Sequence, residues 1–351
     1  MDRRVFEQSA RRRTLAVLGG PGVGRRTLVD RLAGRRVAAG PAAVARFEHA
    51  GPDGLSARVT LLDARGSGAG AVGLAGELSA TDAALLVIDA TTGVSVHDRE
   101  WSRMCRAHRI PVLTFVNKWD HAECDPLGLY EQIRDLGLEP MPVTWPVTEQ
   151  GRVRGLMEVR SAAVRGVGAP ASAAAVADAR ESVELIGQSG GALDPAAVFL
   201  GTATPLLFGS ARHRFGLREL RDTLTSLTPH PAPRRDRSGR LRPLDAPFCV
   251  FVAATGVSTA PDGPRPVALA RVCSGRMRPD ATVILARTDQ PMPMPAASTD
   301  GRTSSEPAVP GDLLVLDNRD LVLALGDTLC EGDPVVEIVC PADELAVRSD
   351  R

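Results

Sequence analysis

The chain has 351 residues, enough for two domains each with its own core. Its 42 basic and 42 acidic residues cancel, so no global field draws it to nucleic acid. With aromatics at 3% there are too few rings for a platform that stacks single-stranded bases, and no sequence-specific nucleic-acid partner is expected.

No apolar run nears the length needed to cross a membrane, and the first residues have no apolar leader core; a cytoplasmic chain is expected. The six cysteines (Cys105, Cys124, Cys249, Cys273, Cys330, Cys340) form no C-x-x-C pair and read as reduced thiols. Residues 1–36 hold ten arginines against Asp2, Glu7 and Asp30, a charge run read as a solvated arm. Lys118 is the only lysine in the chain.

In chain order, the apolar run Leu15 to Leu18 predicts a buried strand. It leads into Gly19-Gly20-Pro21-Gly22-Val23-Gly24-Arg25-Arg26-Thr27, and helical spacing follows to Leu32. Strand, glycine loop and helix form the setting in which backbone N–H groups cradle phosphates. Against the pattern G-x-x-x-x-G-K-[ST], the scaffold Gly19 to Gly24 is present. Arg25 stands where a lysine would reach the β/γ-phosphates, and Arg26 where a hydroxyl would ligate Mg²⁺. Thr27 sits one residue late, turned about 100° round the helix.

Two short strands, 44–49 and 57–63, flank Pro52-Asp53-Gly54 and predict a hairpin. Asp63-Ala64-Arg65-Gly66 fits D-x-x-G, in which Asp63 would hold Mg²⁺ through water and the Gly66 N–H would meet a γ-phosphate. Ala83–Asp89 is a fully apolar strand, followed by a helix with Trp101, Met104 and Cys105 on one face. Pro111 to Val116 predicts another buried strand, ending in Asn117-Lys118-Trp119-Asp120. In this N-K-x-D pattern the Asp120 carboxylate accepts two N–H bonds from guanine that adenine cannot offer, while Asn117 and the Lys118 stem shape the pocket.

Pro142-Val143-Thr144-Trp145 and Pro205 to Phe208 are further strand candidates. The second runs into Gly209-Ser210-Ala211, where a small residue's N–H can meet the guanine carbonyl. Residues 151–200 read as an insertion, with a helix from about Ala173 to Ile186. The organisation expected is an α/β, doubly wound nucleotide domain over 1–228, a Pro/Arg-rich linker over 229–247 and a small antiparallel β-barrel over 248–351. Barrel strands are expected at Phe248–Ala253, Val267–Val272, Val283–Ala286, Leu313–Leu316 and Val335–Val339, with a mobile loop over Met292 to Ser305.

The order of these motifs resembles the translational GTPases, and among them the bacterial peptide chain release factor 3 proteins. The resemblance is carried by Arg12 to Ala16, Leu113 to Asp120, Asp125-Pro126, Val143-Thr144-Trp145-Pro146 and Thr204 to Ala211. In the barrel it is carried by Ala270 to Gly275, Pro310-Gly311-Asp312 and Gly326-Asp327-Thr328. It covers nearly the whole chain. It implies a P-loop GTPase domain followed by a β-barrel, GTP or GDP as ligand, the ribosome as partner and a role in translation termination. The family's third domain has no counterpart before Arg351.

The departures fall on the phosphate chemistry. Family members carry D-T-P-G-H, with a histidine that orients water; here Ser67 takes that position. A switch threonine is also missing, since no threonine lies between Leu28 and Val59. Asp63 remains as a candidate Mg²⁺ contact, without the hydroxyl ligands that would complete the site. Three readings stay open. The chain could be a guanine-nucleotide-binding protein with impaired hydrolysis, an active ribosome-dependent GTPase in which Arg25 serves for lysine, or a binding module that takes no nucleotide.

Overall fold

The computed structural model describes residues 3–37, 43–64, 70–121, 124–188, 190–260, 263–299, 306–319, 323–332 and 335–339. Helix α1 (Arg3–Ser9) leads into β1 (Arg12–Leu18) and α2 (Arg25–Ala33). The hairpin β2 (Val44–Ala50) and β3 (Ser56–Asp63) follows where the Pro-Asp-Gly turn placed it. Next come α3 (Gly70–Ser79), β4 (Ala83–Asp89), α4 (Val96–Ala107), β5 (Val112–Asn117), α5 (Pro126–Arg134) and β6 (Glu139–Pro142).

A separate three-stranded sheet comprises β7 (Thr144–Glu149), β8 (Arg152–Glu158) and β9 (Val164–Gly166). After it come α6 (Ala173–Gln188), α7 (Pro195–Phe199), β10 (Ala203–Phe208) and α8 (Leu217–Ser226).

Seven of these strands form one sheet in the order β2-β3-β1-β4-β5-β10-β6, in which only β2 runs antiparallel to its neighbour. Both faces are covered, which explains why its strands read as unbroken apolar runs. In β1, Leu15 and Val17 face a core with Leu28 and Leu32 of α2 and Leu220 and Leu224 of α8. Ala16 and Leu18 face the opposite core with Leu78, Cys105, Leu129 and Ile133 from α3, α4 and α5. Full burial of each leucine contributes about 1.5–3 kcal/mol. The strand C-termini, and the loops that leave them, therefore gather at one sheet edge.

The stretch read as one strand through Pro142 to Trp145 is divided. Residues through Pro142 pair with β10, whereas Thr144 onward pairs with β8. Val143 marks the step: its N–H still reaches Leu206 O, while its own carbonyl accepts from Val159 N. The separate sheet thus begins before residue 151. It is anchored by Trp145, which meets Phe208 edge-on at 5.4 Å, with Trp119 on the same ring at 4.9 Å.

The segment between the sheets is not bare linker, since β11 (Arg234–Arg235) and β12 (Leu241–Arg242) form a two-stranded hairpin. Beyond it lie β13 (Cys249–Ala260), β14 (Gly263–Ser274), β15 (Thr282–Leu285), β16 (Gln290–Pro293), β17 (Ala297–Ser298), β18 (Leu313–Asp317) and β19 (Thr328–Cys330). They pair antiparallel in the order β16-β15-β19-β13-β14-β18-β17, a curled half-barrel. The expected strand at Val335–Val339 is absent, because Ile338 makes only an isolated bridge to Asp236. Part of the expected loop over Met292 to Ser305 is ordered into β16 and β17; residues 300–305 lie outside the described residues.

The half-barrel docks on the α/β unit through a shared core that includes Val44, Leu62, Ala75, Phe251, Leu269 and Leu313. Buried polar contacts fix the fit. Arg12 Nε meets Asp312 Oδ1 at 3.0 Å, and the Thr14 hydroxyl donates to Gly311 O at 2.7 Å. Arg271, 1% exposed, donates to Ala80 O and to Asp82 Oδ1, each at 2.6 Å. The arginine-rich start is thus only partly a solvated arm. Arg3, Arg4 and Arg11 are exposed, but Arg12 is buried at this interface.

Candidate functional site

The phosphate loop leaves β1 through glycines with positive φ: Gly19 at 149°, Gly22 at 78° and Gly24 at 93°. A Cβ on Gly19 would lie 2.5 Å from Val87 O, and one on Gly24 would lie 2.6 Å from Asn117 Nδ2. Space as well as dihedral therefore demands glycine at both positions. Gly24 is the N-cap of α2 and offers no side-chain cap, so the first N–H groups of that helix have no side-chain acceptor from it. Such a helix start favours an anion.

Asn117 ties the loops together. Its Nδ2 donates to Val23 O at 2.7 Å, and its Oδ1 accepts from Ala211 N at 2.9 Å. One side chain thereby fixes the phosphate loop, the end of β5 and the loop after β10. Lys118, at φ 66°, sends Nζ to Asp89 Oδ2 at 2.6 Å. Burial works to raise the Asp89 carboxyl, but hydrogen bonds from Lys118 and Thr91 outweigh it and hold the group below the ordinary carboxylate range. Asp89 was not singled out from the sequence. Its signal was a lone acid ending an apolar strand, in register with Asn117 on β5.

Asp120 has one carboxylate oxygen engaged and one not. His213 Nε2 lies 3.3 Å from Oδ2, whereas Oδ1 is buried with no hydrogen-bond partner among the described residues. A cavity of about 530 Å³ opens beside it, lined by Asp120, His213, Phe215, Val153, Gly166 and Val167. Strands β8 and β9 thus help wall the cavity beside Asp120, which sequence reasoning did not anticipate.

The N–H groups of Gly209, Ser210 and Ala211 are already taken, by Val116 O, Phe215 O and Asn117 Oδ1. Each N–H expected to be open to a guanine carbonyl thus donates within the protein in this geometry. Closing the loop onto Asn117 consumes the donor.

At the phosphate end, Arg25 NH1 donates to Ala64 O at 2.7 Å, and its Nε lies 3.6 Å from Asp63 Oδ1. The guanidinium that replaces the signature lysine therefore rests on the D-x-x-G aspartate. Arg26 turns away, donating to Val37 O at 3.1 Å, and Thr27 is exposed. Gly66 and Ser67 lie outside the described residues, and among the described residues no cluster of three His, Cys, Asp or Glu side chains could hold a metal ion.

Residues 42–230 match the family model for the elongation factor Tu GTP binding domain, more than half of the chain. That match starts past the phosphate loop. Peptide chain release factor 3 of Nitrosomonas eutropha is 31% identical over 94% of this chain and 71% of that protein. The Bordetella avium protein of the same name is 31% identical over 94% and 70%. The chain belongs to the translational GTPase family. Within that family it is related to release factor 3.

A solved structure from Thermus thermophilus superposes with a TM-score of 0.69 at 23% identity, over 92% of this chain. The chain spans about half (54%) of that structure, a likeness in fold. As a translational GTPase the chain has the α/β unit and the half-barrel in the expected order, and the family implies guanine nucleotide as ligand. No helix among the described residues is long and apolar enough to cross a membrane.

Proposed function

We propose that this translational GTPase relative selects guanine nucleotide through Asp120, holds it without Mg²⁺, and hydrolyses it slowly or not at all. The observation that carries the reading is the buried Asp120 Oδ1, without a hydrogen-bond partner among the described residues, beside a cavity. Leaving such an oxygen unmatched costs about 1–3 kcal/mol, which a ligand N–H recovers on binding. The Asn117 bridge supports the same reading, because it sets the base loops and the phosphate loop before a ligand arrives.

The residues present do not fit a Mg²⁺ ion. Arg26 stands at the hydroxyl position and is directed to Val37 O, while the Arg25 guanidinium sits against Asp63, where a second cation would be repelled. Arg25 serves as a tethered counter-charge for the phosphates. Ser67 in place of a water-orienting histidine removes a group whose loss typically costs about 10²–10⁴-fold in rate. The chain would then act as a regulator or accessory factor that uses guanine nucleotide as a ligand and still meets ribosomes through the half-barrel and the exposed arginines of the N-terminus.

The test is phosphate release from GTP with purified 70S ribosomes. The reading expects a rate no higher than that of Lys118→Ala. Ribosome-stimulated release well above that control would establish an active GTPase instead.

A further inference from the structure

A second cavity, about 710 Å³, lies between α2 and α8. It shares only Thr27 with the phosphate loop. Arg31, Arg35, Arg36, Arg214, Arg218 and Arg221 line it, against a single acid, Asp30. In a chain whose charges balance overall, six guanidinium groups around one concavity repel one another and need an explanation.

Two neighbouring acids are committed at least partly elsewhere. Asp30 Oδ1 accepts from Val37 N at 2.8 Å, so the carboxylate is committed to closing the turn after α2. Asp222, one turn beyond Arg218, is drawn to His49 Nε2 at 2.6 Å and leaves Arg218 at 3.9 Å. Among the described residues, no acidic side chain pairs with Arg31, Arg36 or Arg214.

The cluster is also built. Arg221 NH2 donates to Arg31 O and Leu32 O at 3.1 and 2.7 Å, capping the C-terminus of α2, and its guanidinium lies 5.5 Å from the Phe47 ring centroid. Gly34, at φ 69°, turns the chain so that Arg35 and Arg36 reach the same cavity. Arg214 comes from the loop that follows Ser210-Ala211, so the cavity is assembled from both sides of the nucleotide loops without using their recognition groups.

We propose that this cavity is a second anion site, specific for a compact ligand bearing adjacent phosphates. Guanidinium forks match phosphate oxygens two at a time, and a concave set of them suits a clustered charge better than a single one. No aromatic residue is among the lining residues, so the site grips phosphate and does not stack bases. The proposal does not depend on the nucleotide reading, and the experiment separates the two.

The probe is inorganic triphosphate, titrated calorimetrically into the full chain at low salt with GDP saturating. One equivalent should bind, and Arg31→Ala with Arg36→Ala should weaken it about tenfold or more while GDP affinity stays unchanged. These two side chains make no ion pair among the described residues, so their loss leaves the fold intact, which a thermal melt checks. GDP binding with no triphosphate binding, or triphosphate binding indifferent to the double variant but lost in Arg25→Ala, overturns the proposal. Triphosphate binding lost in the double variant, with no heat from GDP, keeps this site and overturns the nucleotide reading. Tighter binding of a short RNA duplex than of triphosphate would show a nucleic-acid face in place of a compact polyphosphate site.

Discussion

Writing the signature back into the phosphate loop, Arg25→Lys with Arg26→Thr, should convert a metal-indifferent site into a metal-dependent one. Arg25 Nε lies 3.6 Å from Asp63 Oδ1. At an effective dielectric of about 20, unit charges at that distance interact by about 4–5 kcal/mol before screening and desolvation. A divalent ion brought to Asp63 meets the guanidinium as a like charge of the same order, and finds no hydroxyl from Arg26. The double variant removes the fixed cation from the carboxylate and supplies the ligand. Even if a third of the gross term survives, Mg²⁺ should raise GDP affinity by about 1.4 kcal/mol, or tenfold. The assay is GDP affinity in Mg²⁺ and in EDTA, for both proteins. The reasoning is refuted if the wild-type chain already loses GDP in EDTA, or if the double variant gains no metal dependence.

Arg271→Ala should destabilise the folded chain by about 1–3 kcal/mol, because it removes the short hydrogen bond to the buried Asp82 carboxylate and leaves it, among the described residues, only the ion pair with Arg234 at 3.9 Å; an unchanged urea midpoint would count against that role. Gly24→Ala should weaken GDP binding and lower stability by about 1–2 kcal/mol, from positive φ and the approach to Asn117; wild-type affinity would contradict the loop geometry. Asp89 is depressed in the folded chain, so its contribution is fully present above the ordinary carboxyl pKa of 3.8 and is lost as pH falls through the lower folded value. Lys118→Ala should flatten stability against pH in that acid range, and an unaltered slope would show that the pair does not set the shift. Burial pushes the Cys105 thiol up to about 12 and raises Cys249, Cys273 and Cys124 as well, so access decides, and a thiol reagent at pH 8 should label the half-buried Cys124 first among these.

The α/β unit was legible because each strand of its sheet is buried on both faces, which leaves continuous apolar runs such as Ala83 to Ile88. Asn117, Lys118 and Asp120 were legible as candidates because the N-K-x-D spacing falls at the end of an apolar strand. What escaped was tertiary. The division at Val143 follows from which strand each neighbour pairs with, and nothing local marks it. Val335 to Val339 has strand-like composition but, among the described residues, forms no ladder, only the isolated bridge of Ile338 to Asp236. Arg25 reads in sequence as a damaged lysine position, and its seat on Asp63 depends on two loops meeting. The walls beside Asp120 come from Val153, Gly166 and His213, residues with no motif to announce them. The arginine cavity was half visible, since Arg31, Arg35 and Arg36 belong to the basic run; their convergence with α8 was not.

The central claim is guanine selection by Asp120 in a site that needs no metal. Calorimetry of GDP and ADP in EDTA, on the wild-type chain and on Asp120→Ala, addresses it most directly. The account predicts that wild type prefers GDP, and that the variant loses this preference at a cost of about 1.5–3 kcal/mol, tenfold or more in affinity, as for a hydrogen bond to a charged group. Equal affinities for GDP and ADP in the wild type, or a preference that survives in Asp120→Ala, would contradict it.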